Sequence, residues 1–177
     1  MKNIQKTVIT ALVILFNLIL SQYSNAHIMV AQHGTLNIVD DGAFMVMSLP
    51  VSAFEGIDDD KDGKLSMAEF NLHRSAIVNI VQEKVVLKDN NGKITLQGIM
   101  LSPVTSHHSP KEPTSQLIVM GRFTLTEPNS ALQYQINLFG KTPTEQLLEI
   151  TATRKNGSNK QVAKLSPNKS SVTFFEK

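Results

Sequence analysis

The sequence predicts an α+β domain, mainly antiparallel β with a sandwich or barrel-like layout, carrying one helix–loop–helix insertion after the second strand. Short runs of alternating or β-branched residues recur at 35–39, 43–49, 85–88, 93–101, 116–126, 131–139, 146–154, 161–165 and 171–175, each bounded by turn-forming residues. Between the second and third runs lies an acidic stretch centred on a glycine, followed by the one long segment whose apolar residues fall at helical spacing. No internal repeat is long enough for a solenoid.

The N-terminus reads as a targeting segment. Lys2 and Lys6 precede an apolar run from 8 to 20, broken by Asn17, and Ser24-Asn25-Ala26 supplies small residues for cleavage. These are the three parts of a secretory signal peptide. The run is about 13 residues against the ~20 that a membrane span needs. The expectation is a signal peptide over 1–26, cleavage after Ala26, and a periplasmic or secreted product of bacterial type with no membrane span.

Removing 26 of the 177 residues leaves 151, enough for one β-rich domain over 27–177 to bury its own core. The removed segment takes two lysines and no acid with it, so the nominal charge of +2 becomes 15 basic residues against 15 acidic. Such a balance argues against a nucleic-acid partner. The chain has no cysteine, which excludes disulfides and lipid attachment at cysteine.

Along the domain, 35–39 and 43–49 form strands joined by a tight turn at Asp41-Gly42. Pro50 then opens a short entering helix over 51–57, with Phe54 and Ile57 three apart and facing a partner. The exiting helix, 66–84, sets Phe70, Ile77, Ile80 and Val81 on one side and Asn71, Arg74, Asn79 and Gln82 on the other. Asn91-Gly92 marks a hairpin between 85–87 and 94–96, and Asn156-Gly157 another late in the chain. Residues 102–115 form a polar loop punctuated by prolines.

The most specific feature is the loop 58–69, Asp-Asp-Asp-Lys-Asp-Gly-Lys-Leu-Ser-Met-Ala-Glu. A hard cation of calcium's size takes six to eight oxygens at about 2.3 to 2.6 Å. Alternate carboxylates at Asp58, Asp60 and Asp62 supply three donors, and the Lys64 carbonyl and Ser66 follow at positions 7 and 9. Glu69 closes at position 12 with two oxygens, which favours calcium over octahedral magnesium. Gly63, at position 6, reverses the chain with a positive φ that costs glycine nothing. Leu65 tethers the loop to a core, and Ser66 doubles as the helix N-cap, with Glu69 completing an S-x-x-E capping box.

Over about residues 50–84 the chain resembles the EF-hand superfamily, calmodulin-like in local pattern. The resemblance implies that Asp58, Asp60, Asp62, Lys64 by its backbone, Ser66 through a water, and Glu69 hold a calcium ion. A second hand is missing: Asp89-Asn-Asn-Gly-Lys fails the register, since Leu87 and Gly98 would fall at positions 1 and 12. One hand alone argues for a structural or partner-docking role rather than a paired sensor that opens a groove.

Two other function classes are weighed against this one. Cleavage after Ala26 makes His27 the N-terminus, where its amine and imidazole, with Met29, His33 and the strand methionines Met45 and Met47, form a donor set for copper or another transition metal. Methionines at alternate strand positions are more often core filler. His107-His108 is a poor chelate, because adjacent side chains point apart in extended chain. An enzyme would need a site without a recognisable motif: no H-E-x-x-H, G-x-S-x-G, Walker loop or dinucleotide fingerprint occurs. The expectation is a calcium-binding, non-catalytic protein.

Overall fold

The computed structural model describes residues 31–105, 112–154 and 159–176. The signal peptide, His27, Met29, His107, His108 and the Asn156-Gly157 turn lie outside the described residues.

Among the described residues, ten strands form two sheets. They are β1 (His33–Val39), β2 (Gly42–Pro50), β3 (Val85–Asp89), β4 (Gly92–Ile94), β5 (Leu96–Pro103), β6 (Gln116–Thr124), β7 (Leu132–Ile136), β8 (Leu148–Arg154), β9 (Lys160–Leu165) and β10 (Ser171–Phe174). The larger sheet runs β5-β6-β2-β1-β8-β9 and the smaller β10-β7-β3-β4. Among the described residues both sheets keep open edges, so the fold is an open two-sheet architecture and not a closed barrel. Among the described residues all strand pairings but one are antiparallel. The exception is β1 with β8, parallel from His33↔Glu149 to Ile38↔Arg154.

Alternation along the strands builds the core. In β1, Leu36 and Ile38 point inward; in β2, Met45 and Met47 do so; from the smaller sheet, Leu87, Tyr134 and Ile136 meet them. The Tyr134 hydroxyl donates to the Met47 sulfur at 2.9 Å, giving a buried polar group a partner across the two sheets. Burial without a charged neighbour raises the Tyr134 pKa well above its ordinary value.

The β1–β2 hairpin turns one residue earlier than expected. Val39 pairs with Gly42, leaving Asp40 and Asp41 in the turn, and the positive φ of 53° falls on Asp40. Gly42 serves close approach instead, for a Cβ there would lie 2.8 Å from the Phe44 ring and 2.9 Å from Arg122 Nε. The hairpin expected at Asn91-Gly92 is present as β3–β4 but likewise turns one residue earlier, on Asn90 and Asn91, with Asp89 paired to Gly92.

Two expected elements are altered. The single strand over 93–101 is two strands in different sheets: β4 ends at Ile94 and β5 starts at Leu96, so the chain changes sheet at Thr95. A register shift between Gln97 and Met100, with Gly98 at φ 58°, then kinks β5. The entering helix over 51–57 is only a 3-10 turn, Val51–Ala53, after which Phe54 is extended and Gly56 takes φ 73°. Seven residues containing a β-branched valine and a glycine cannot offset the cost of helix nucleation. Phe54 and Ile57 are nonetheless buried, as their spacing required.

The long helix, α1 (Met67–Lys84), begins one residue after the expected start and runs directly into β3. Phe70, Ile77 and Val81 are buried on one face, while Asn71, Arg74, Asn79 and Gln82 face water. It packs against β3 and β5. No helix among the described residues is long and apolar enough to cross a membrane.

Candidate metal centre

The acidic loop links the 3-10 turn to α1. Ile57, just before the loop, is fully buried, and Leu65 inside it is 1% exposed, so apolar anchors hold both of its limbs while the acids between them stay near solvent. Burying a leucine of this kind stabilises by about 1.5–3 kcal/mol. Leu65 also forms an isolated antiparallel bridge with Thr114, donating its amide to the Thr114 carbonyl at 2.8 Å and accepting the Thr114 amide at 3.0 Å.

Between these anchors the chain winds around its own carboxylates. Gly63 donates its amide to Asp58 Oδ2 at 2.9 Å, Asp62 to Asp60 Oδ1 at 3.2 Å, and Lys64 to Asp62 Oδ1 at 2.7 Å. Gly63 takes φ 80°, the left-handed conformation expected at position 6. The result brings one carboxylate oxygen each of Asp58, Asp60 and Glu69 within 4.8 Å of one another. Asp62 is exposed and is not one of these three carboxylates; Lys64, whose carbonyl is the expected donor, is exposed as well.

Glu69 is the most constrained member. Ser66 donates its hydroxyl to Glu69 Oε2 at 2.7 Å and its amide to the same oxygen at 2.8 Å, and the Asp59 amide donates to Oε1 at 2.8 Å. The Glu69 amide returns a bond to Ser66 Oγ at 3.3 Å, so the expected capping box is complete. The Ser66 hydroxyl and amide, then the Asp59 amide, hold the Glu69 carboxyl down at about 2, against the opposing effect of desolvation. Ser66 thus enters the site first as a cap on Glu69.

Asp60 shifts the other way. Its bond from the Asp62 amide lowers the pKa, but desolvation and the charges of Asp62 and Glu69 outweigh it, and the carboxyl titrates above its ordinary value. Asp58 Oδ1 is buried and has no hydrogen-bond partner. An oxygen-only set with one unpartnered buried carboxylate oxygen fits a hard cation.

One contributor escaped the sequence reading. His73 has its Nε2 2.9 and 3.0 Å from the two Asp59 oxygens. A carboxylate only accepts, so Nε2 carries the proton. The signal was available in the spacing: His73 is four residues after Glu69 and shares its helix face.

The transition-metal donor set is not assembled among the described residues. Met45 and Met47 are buried in the core, whereas His33 lies on the opposite face of the sheet, its Nδ1 2.8 Å from the Ala31 carbonyl. Three surface cavities of about 530, 480 and 510 Å³ are each lined by one ionisable side chain among the described residues, Glu127, Arg122 and Lys141 respectively.

No family model matches the chain, and no curated protein matches it. Among solved structures, it is similar to a novel protein of unknown function from Burkholderia pseudomallei, at 10% identity and a TM-score of 0.22, over 74% of this chain. The chain spans about half, 53%, of the length of that structure.

Proposed function

We propose that this chain is an exported, non-catalytic calcium-binding protein, in which an EF-hand-type loop set into a β-rich domain holds one ion. Asp58, Asp60, Asp62, the Lys64 carbonyl, Ser66 and Glu69 are its ligands. The observation that carries the reading is the convergence of Asp58, Asp60 and Glu69 about the Gly63 reversal, with Asp58 Oδ1 buried and unpartnered. Clustered carboxylates repel one another, which together with desolvation raises the Asp60 pKa, and a divalent cation removes that repulsion. Export rests on the signal-like pattern of 1–26.

In this role the ion fixes the turn before the loop and the helix after it, supporting the fold or a docking surface for a protein partner. Extracellular sites of this kind bind with a dissociation constant of about 0.1 to 1 mM, where ambient calcium keeps them filled. Isothermal titration of the purified protein tests the assignment. Calcium should give heat with a constant in that range, magnesium little, and Glu69→Gln should weaken calcium binding at least about tenfold. Silence at millimolar calcium would remove the assignment.

A further inference from the structure

The calcium loop is held by a segment far from it in sequence. Thr114 and Ser115 lie just before β6, at the end of the long β5–β6 connection, and they contact the loop region on both sides. Val51, in the 3-10 turn ahead of the loop, donates its amide to the Ser115 carbonyl at 2.9 Å. Leu65, at the loop's eighth position, exchanges two backbone bonds with Thr114. Thr114 is only 5% exposed, so water does not compete for these bonds.

The Thr114 side chain explains how the segment keeps its place. Its hydroxyl lies 2.6 Å from the Val104 carbonyl and 2.9 Å from the Gln116 carbonyl, and it accepts the Gln116 amide at 3.1 Å. The Val104 amide in turn donates to the Gln116 carbonyl at 3.0 Å. One residue therefore joins three stretches of chain: the acidic loop by its backbone, and the facing ends of β5 and β6 by its hydroxyl.

We propose that Thr114 is a positioning residue of the calcium loop, so that the loop's affinity is set in part by a strand connection outside the hand, and calcium in turn orders the facing ends of β5 and β6. The proposal rests on the calcium reading above. Coupling of this kind is reciprocal: if the anchored bridge favours the ion-holding arrangement of the loop, the ion favours the anchored bridge by the same factor. A single hand lacks a second hand to lean on, and here the sheet supplies the support.

Two measurements test it. Amide hydrogen exchange on the intact protein, with calcium and with EDTA, should show slower exchange at Leu65, Thr114 and Gln116 when calcium is present, although Thr114 and Gln116 carry no ligand. Titration calorimetry should show calcium binding about fivefold weaker in Thr114→Val, which keeps the side chain's shape but loses the hydroxyl, and near wild type in Thr114→Ser, which restores it. A purely structural threonine would lower the melting temperature of Thr114→Val without changing the affinity of the folded protein. Wild-type protein that binds calcium with no change in exchange at Thr114 and Gln116, and with equal affinity in Thr114→Val, overturns the coupling while leaving the site intact. Wild-type protein that gives no calcium heat overturns both.

Discussion

Glu69 caps α1, accepts the Asp59 amide and contributes to the acidic cluster, so its protonation is linked to folding. Its pKa is depressed from 4.5 to about 2. The stability it contributes is therefore complete above pH 4.5 and is lost as the pH falls from there through about 2. In EDTA, the stability difference between wild type and Glu69→Gln should shrink over that interval, as read from urea midpoints at a series of pH values; parallel curves would contradict the linkage. Ser66 acts through the same cap. In EDTA, Ser66→Ala should lower the unfolding free energy by about 1 kcal/mol, by denaturant titration.

At the scale of elements, α1 is held by a narrow apolar face. Ile77 and Val81 are fully buried, and Phe70 nearly so, while most of the helix faces water. Ile77→Ala leaves a cavity beneath the helix and should cost about 2–5 kcal/mol by denaturant unfolding. Since α1 carries Glu69 and His73, the same variant should also weaken calcium binding. The helix was legible in the sequence because cap, spacing and length agree. The entering helix was not, because apolar residues three apart suit a helix or a turn whose ends both reach the core; Phe54 and Ile57 are buried by the second route. The 93–101 run was ambiguous for a related reason. Each half alternates correctly as a strand, and nothing local announces that Leu96 belongs to the other sheet.

For the whole molecule, an ion bound only in the native state stabilises it by mass action. At free calcium of about a hundred times the dissociation constant the gain is ~2.7 kcal/mol, a rise in melting temperature of about 5–10 °C over EDTA for a domain of this size. Differential scanning calorimetry should show that shift with calcium, and Glu69→Gln, binding at least about tenfold more weakly, should cut it to about half or less. The sequence by itself determined the β-rich class, the one long helix, the capping box and the glycine at the loop's reversal, because each depends on residues within a turn or two of one another. It also marked Asp58, Asp60 and Glu69 as neighbours in one loop. Only the tertiary structure decided that β1 lies parallel to β8, that Met45 and Met47 face Tyr134 and not His33, and that Leu65 is bridged to Thr114. Those contacts join residues tens of positions apart, and alternation states which face of a strand is buried without stating what will cover it.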